Sequence, residues 1–126
     1  MMDQERGSVS IVVAALMAMA LVLAMGAADL ARVLTGAARA QTAADAAALA
    51  AAQELASASS AGVEPADLAA AYAERNGAVL TSCSCHAGGS EAVVSVTVQV
   101  GALMLAPDDR VVTARARAVV ELPASG

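Results

Sequence analysis

An uncharged apolar segment near the start of the chain, "RGSVSIVVAALMAMALVLAMGAAD" at residues 6–29, constrains the fold most strongly. About twenty helical residues at roughly 1.5 Å each cover about 30 Å, the thickness of a bilayer's hydrocarbon core. A buried core helix is a poor alternative, because the only aromatic residue is Tyr72 and bulky side chains to surround such a helix are scarce. The segment therefore predicts a transmembrane helix over residues 9–28, preceded by a tail at residues 1–8.

A cleaved secretory signal is the alternative interpretation of this segment. Signal sequences need an apolar region of only about 7–15 residues, which favours retention of the longer segment seen here. Ala24-Met25-Gly26 nevertheless offers small residues at suitable cleavage positions. Both interpretations stay open from the sequence, with the membrane span preferred.

Charge restricts the partners that the chain can have. The net charge is −5 and the seven basic residues form no run, so binding to nucleic acid is not expected. Arg6 precedes the span whereas Arg32 and Arg39 follow it, so the positive-inside count does not decide orientation. The short tail and the two cysteines favour a single-pass protein of the cell membrane with its C-terminal part outside the cytoplasm.

The span continues into an alanine-rich segment, residues 29–56, that predicts an extension of the same helix from about Ser8 to Ala56. Its apolar positions alternate in steps of four and three, which is the rhythm of a helix packing along another surface. Asp29, Asp45 and Glu54 are expected on a solvated flank. The predicted helix-packing residues combine this seam with small residues of the span: Ala14, Ala18, Ala20, Ala24, Leu30, Leu34, Ala37, Gln41, Ala44 and Ala48.

The remainder predicts a loop at residues 57–64 and a small head at residues 65–126. A short helix begins at Pro65 and ends near Asn76-Gly77. Residues 78–82 are a candidate short strand, and residues 93–100 and 111–122 alternate apolar and polar positions as half-buried antiparallel strands do. The predicted fold class is α+β, with a long N-terminal helix, a short helix and a pilin-like sheet of two or three strands.

Cys83-Ser84-Cys85-His86 is the one cluster that suggests chemistry. Zinc sites need four ligands, and the sequence has no second Cys or His pair to complete one. A cysteine nucleophile needs an oriented base and a pocket, for which there is no sign. We expect Cys83 and Cys85 to be oxidised, with each other or across subunits. The sequence predicts no catalytic, metal or cofactor site, no small-molecule substrate, and thus no enzyme.

Three stretches together resemble a known family: Arg6-Gly7 before the span, "ARAQTAADAAALAAA" at residues 38–52, and "VTARARA" at residues 112–118. The chain resembles the TadE/TadG-like proteins of the Flp (tight-adherence) pilus system, and most of all the short TadE-like proteins encoded beside helicase and secretion genes. It departs from prepilins, since Gly7 places Val12 where their mature chains carry an acidic residue.

The resemblance implies a minor pilin-like or accessory protein that is anchored in the membrane and acts in pilus assembly or secretion. Its expected partners are membrane lipid and other pilin-like or secretion-system membrane proteins. A secreted small binding protein with a cleaved N-terminal signal remains the alternative.

Overall fold

The computed structural model describes residues 2–57 and 62–121, with side chains described from Arg6 onward in the first helix. Two helices, α1 (Met2–Ala56) and α2 (Pro65–Arg75), precede three strands. The strands are β1 (Val79–Ser84), β2 (Glu91–Ala102) and β3 (Asp109–Val119), and they form one antiparallel sheet in the order β1-β2-β3. The predicted α+β class is confirmed.

The first helix is continuous from the apolar segment into the alanine-rich one. It begins at Met2, so residues predicted as a tail are already helical there. Gly26 and Gly36 do not interrupt it. An interior glycine costs only about 1 kcal/mol relative to alanine, and the surrounding Ala, Leu and Met residues are strong helix formers.

The second helix starts and stops where its sequence predicts. Pro65 is the first helical residue, and Asn76 occupies the C-terminal cap. Gly77 follows with φ +74°, and the N–H groups of Gly77 and Ala78 donate to the carbonyls of Glu74 and Ala73 at 3.0 Å each. This is a Schellman motif, which needs the left-handed conformation that glycine adopts without strain.

The sheet is built on the long central strand β2. Val94, Val96 and Val98 are buried on its inner face, as the alternating pattern predicts. The register shifts between Gln99 and Gly101, where a bulge bends the strand near its end. The last predicted strand is shorter than expected, because β3 ends at Val119 and Leu122 lies outside the described residues. Residues 58–61 of the predicted loop also lie outside them.

Alanine dominates the core where α2 and the sheet pack on the C-terminal half of α1. Val94 and Val96 are the largest side chains that are fully buried among the described residues. Because alanine projects so little from the backbone, the packed elements approach closely. The buried alanines of the two helices are Ala40, Ala43, Ala44, Ala47, Ala48, Ala50, Ala51, Ala52, Ala69 and Ala73.

Candidate functional site

The apolar N-terminal half of α1 has no cover from the rest of the described chain. It is a candidate membrane span by length and composition, and its side chains between residues 9 and 25 are exposed. The small residues predicted to pack against other helices are exposed there too: Ala14, Ala18, Ala20 and Ala24. No segment of the described part of the chain packs against these residues.

The residues of the predicted seam lie on one side of α1, but their burial changes along the helix. Ala44 and Ala48 are buried under the head, and Ala37 is half-buried. Leu30, Leu34 and Gln41 are exposed. The head therefore covers the seam at Ala44 and Ala48 and leaves it open from Leu30 to Gln41, apart from the half-buried Ala37.

One side of α1 forms an exposed strip from the candidate span to Leu49 that is apolar except for Gln41 and Asp45. At roughly 100° per residue, Ala20 lies about 40° from Leu34 and about 20° from Leu49 around the helix axis. Leu30 and Ala24 lie at the two edges of this side, about 120° apart. A hydrogen bond of 2.9 Å from Gln41 Nε2 to Asp45 Oδ1 runs along the strip. We call this the outward face, and it comprises Ala20, Ala24, Leu30, Leu34, Gln41, Asp45 and Leu49.

Asp29 is not on the solvated flank where the sequence interpretation placed it. It is 7 % exposed and lies directly after the candidate span. Its Oδ1 accepts a hydrogen bond from the Met104 N–H and its Oδ2 one from the Leu105 N–H, each at 2.8 Å. The prediction was wrong because helical periodicity does not show that a distant loop supplies two donors to this carboxylate.

Those two hydrogen bonds determine the charge of Asp29. The N–H groups of Met104 and Leu105 hold the pKa of the carboxyl below its ordinary value of 3.8, and the Arg32 charge contributes in the same direction. Burial opposes them by raising the pKa, but the net shift is downward. Asp29 is therefore an anion that ties the β2–β3 connection to α1.

The connection itself is apolar. We call residues Leu103–Ala106 the hairpin loop, which follows β2 and lies beside α1 where the candidate span ends. Met104 is 56 % exposed and Leu105 is 54 % exposed. A Cβ built on Gly26 would lie 3.6 Å from Leu105 Cδ1, so this side chain reaches into the last turn of the apolar segment.

The two cysteines of the cluster are bonded to each other. Cys83 and Cys85 form a disulfide with their Cα atoms 5.4 Å apart, one of the arrangements that the sequence left open. His86 is exposed beside it. Among the residues that the structure describes, no group of three or more His, Cys, Asp or Glu side chains could hold a metal ion.

The arginines of β3 interact within the chain. Arg117 forms an ion pair with Glu91 at 2.7 Å, and Arg115 Nε donates to Ser95 Oγ at 3.2 Å. Both partners are on the neighbouring strand β2. Both contacts link β3 to β2, and the exposed Arg117–Glu91 pair stabilises the fold only weakly.

Sequence reasoning missed the contact between Asp29 and the hairpin loop. Two signals pointed to it: a single acidic residue directly at the end of an apolar span, and a turn reading "LMLAP" where polar turn residues are usual. The sequence alone gave no distance between them, because they are 75 residues apart.

Fold and site together define a protein with one long helix whose apolar half is uncovered and whose other half supports a small α+β head. Residues 7–54 match the family model described as "Putative Flp pilus-assembly TadE/G-like", which confirms the family resemblance over this helix. No curated protein and no solved structure matches the chain significantly. The match covers the candidate span and most of the helix that carries the head.

Proposed function

We propose that this chain is a non-enzymatic, membrane-anchored component of a Flp-type pilus assembly or secretion system. Residues 9–28 anchor it in the cell membrane as a single span, and the head stands outside the cytoplasm. Its role is that of a minor pilin-like or accessory protein, which presents a folded head at a fixed height above the bilayer.

The uncovered apolar half of α1 carries the proposal. Large side chains such as Ile11, Leu16 and Leu23 are exposed along it, and hydrocarbon is the environment that accepts them. The family match at residues 7–54 includes this apolar segment, so the same residues support both the membrane span and the role in pilus assembly.

The outward face supports contact with other helical membrane proteins. Leu30, Leu34 and Leu49 are each more than half exposed, although the same helix carries the buried alanines of the head. Small residues at Ala20 and Ala24 would let a neighbouring helix approach closely within the membrane. Pilin-like or secretion-system subunits are the partners that this face fits.

A structural role is supported by the state of the two cysteines that the sequence singled out as nucleophile candidates. The Cys83 and Cys85 sulfurs are joined to each other, so neither is a free thiolate. His86 is exposed and belongs to the turn that leads to Gly89.

The alternative is a secreted binding protein from which the first 26 or so residues are removed. Cleavage after Gly26 would leave Asp29 and the whole head-bearing part of α1 in place, so the structure of the head does not distinguish the anchored protein from the secreted one. The N-terminal residue of the mature protein does distinguish them.

The test is membrane fractionation of the native protein followed by N-terminal sequencing. We expect the protein in the membrane fraction, resistant to carbonate extraction, with Met1 or Ser8 at its N-terminus. Leu16→Arg should reduce the membrane-bound share, because an arginine at the centre of a span costs about 2.5–3.5 kcal/mol. Leu49→Arg, at a similarly exposed position outside the span, is the matched control and should fractionate like the wild type.

A soluble protein that begins at Ala27 would overturn the anchor and favour the secreted alternative.

A further inference from the structure

We propose that the hairpin loop, Leu103–Ala106, is a second membrane contact that dips into the leaflet from which α1 emerges. This inference rests on the proposed anchoring of α1. It assigns to the head a lipid-facing surface of its own, distinct from the transmembrane helix.

The position of the loop is the first argument. Asp29, the first residue after the candidate span, holds the N–H groups of Met104 and Leu105 at 2.8 Å. Leu105 continues past Asp29 towards Gly26, one turn into the apolar segment. With residues 9–28 across the hydrocarbon core, the loop is therefore at the boundary between hydrocarbon and headgroups.

The side chains of the loop are the second argument. Met104 and Leu105 are both more than half exposed, and they form an apolar tip that continues the uncovered surface of the span. The charged residues follow only after Pro107, and Asp109 and Arg110 pair with Ala102 and Gly101 in the sheet behind the tip. An apolar tip with charges set behind it fits entry into the edge of a bilayer.

The backbone of the loop is the third argument. Leu103 N–H donates to the Ala106 carbonyl at 3.1 Å, and Asp29 accepts from Met104 and Leu105. Pro107 has no N–H to satisfy. Backbone donors that leave water need partners within the protein, and three successive donors of this loop have them.

The test uses single tryptophans, because the natural chain contains no Trp or Phe. Leu105→Trp reports on the loop and Leu16→Trp on the span. Val119→Trp is the matched control: Val119 is 60 % exposed and lies at the other end of the hairpin, opposite Glu91. Each full-length variant is reconstituted in phosphatidylcholine vesicles. Emission is measured with lipids brominated at shallow or deep acyl positions, and with iodide in the water.

We expect Leu105→Trp to emit at shorter wavelength than Val119→Trp, to be quenched most by shallow bromines, and to be shielded from iodide at least threefold. Leu16→Trp should be quenched most by deep bromines. Val119→Trp should respond to iodide alone. This pattern would support both the anchor and the loop contact.

Two results would overturn the loop contact while the anchor stands. With Leu16→Trp still quenched by deep bromines, quenching of Leu105→Trp by iodide alone would show a loop in water. A blue-shifted Leu105→Trp that no bromolipid quenches would show that protein covers the loop. Failure of bromolipids to quench Leu16→Trp would overturn the anchor itself, and the loop contact with it.

Discussion

Two residues of α1, Asp29 and Gly36, determine how the head packs on the helix. Asp29 fixes the hairpin loop through both of its carboxylate oxygens, and Gly36 is buried where the end of β2 crosses the helix. Neither position is a conventional core residue. Asp29 contributes a negative charge, and Gly36 leaves room for the sheet because it has no side chain. Each position therefore allows a separate prediction.

Gly36→Ala should destabilise the head even though alanine is the better helix former. The added Cβ would lie 2.6 Å from Val100 Cγ2, and the β-branched Val100 has little freedom to turn away. Overpacking of this kind costs about 1–3 kcal/mol, which exceeds the gain of about 1 kcal/mol in helix propensity. We expect a net loss of up to about 2 kcal/mol in the free energy of unfolding.

Denaturant unfolding of the full chain in detergent micelles measures this loss. Combining Gly36→Ala with Val100→Ala removes the clash, so the two substitutions should couple favourably in a double-mutant cycle. A Gly36→Ala protein more stable than the wild type would contradict the close approach.

Asp29→Asn should reduce stability at neutral pH and matter less in acid. The pKa of the Asp29 carboxyl is lowered on folding, so its contribution is fully present above its ordinary value of 3.8 and is lost as the pH falls through the folded-state pKa. Asparagine keeps the shape but removes the charge and one acceptor oxygen. The wild-type advantage in Tm should therefore shrink below about pH 4.

Thermal unfolding of both proteins from about pH 7 to about pH 2 measures this difference. A gap in Tm that stays constant across the range would show that the carboxylate charge contributes nothing to holding the loop.

At the scale of elements, the sequence predicts what depends on local periodicity. The continuous α1 follows from strong helix formers without proline, and the strand faces follow from the alternation around Val94, Val96 and Val98. Pro65 marks the start of α2 because its ring fixes φ at a helical value, and Gly77 marks the end because glycine adopts a positive φ without strain. These features need no knowledge of distant residues.

What the sequence could not predict depends on contacts between elements. An alanine-rich helix offers an apolar residue at almost any spacing, so the seam did not distinguish Ala44 inside the head from Leu34 on the outward face. The burial of Asp29 required the hairpin loop to return to the start of the extension, which is a property of the assembled sheet. The disulfide was one of several open states of Cys83 and Cys85.

At the scale of the whole molecule, the outward face should be the surface through which the protein joins its assembly. Leu34→Arg should leave the fold intact, because Leu34 is exposed, yet should weaken association with neighbouring helices about tenfold or more, since burying a leucine is worth about 1.5–3 kcal/mol.

Blue native electrophoresis of gently solubilised native membranes measures the size of the complex. Val111→Arg, at a similarly exposed position on β3, is the matched control and should migrate like the wild type. If Leu34→Arg also leaves the complex unchanged, the outward face is not the contact.

Because α1 is unbroken, a tilt of its membrane-spanning part also moves the part that carries the head. The described helix has no kink-forming proline between the span and the head, so the two cannot swivel independently. The part beyond residue 28 is about 42 Å long, and tilting it by about 10° would sweep its tip sideways by about 7 Å. A local change in bilayer thickness, or contact with a neighbouring subunit inside the membrane, would therefore displace the C-terminal end of α1 by a measurable distance.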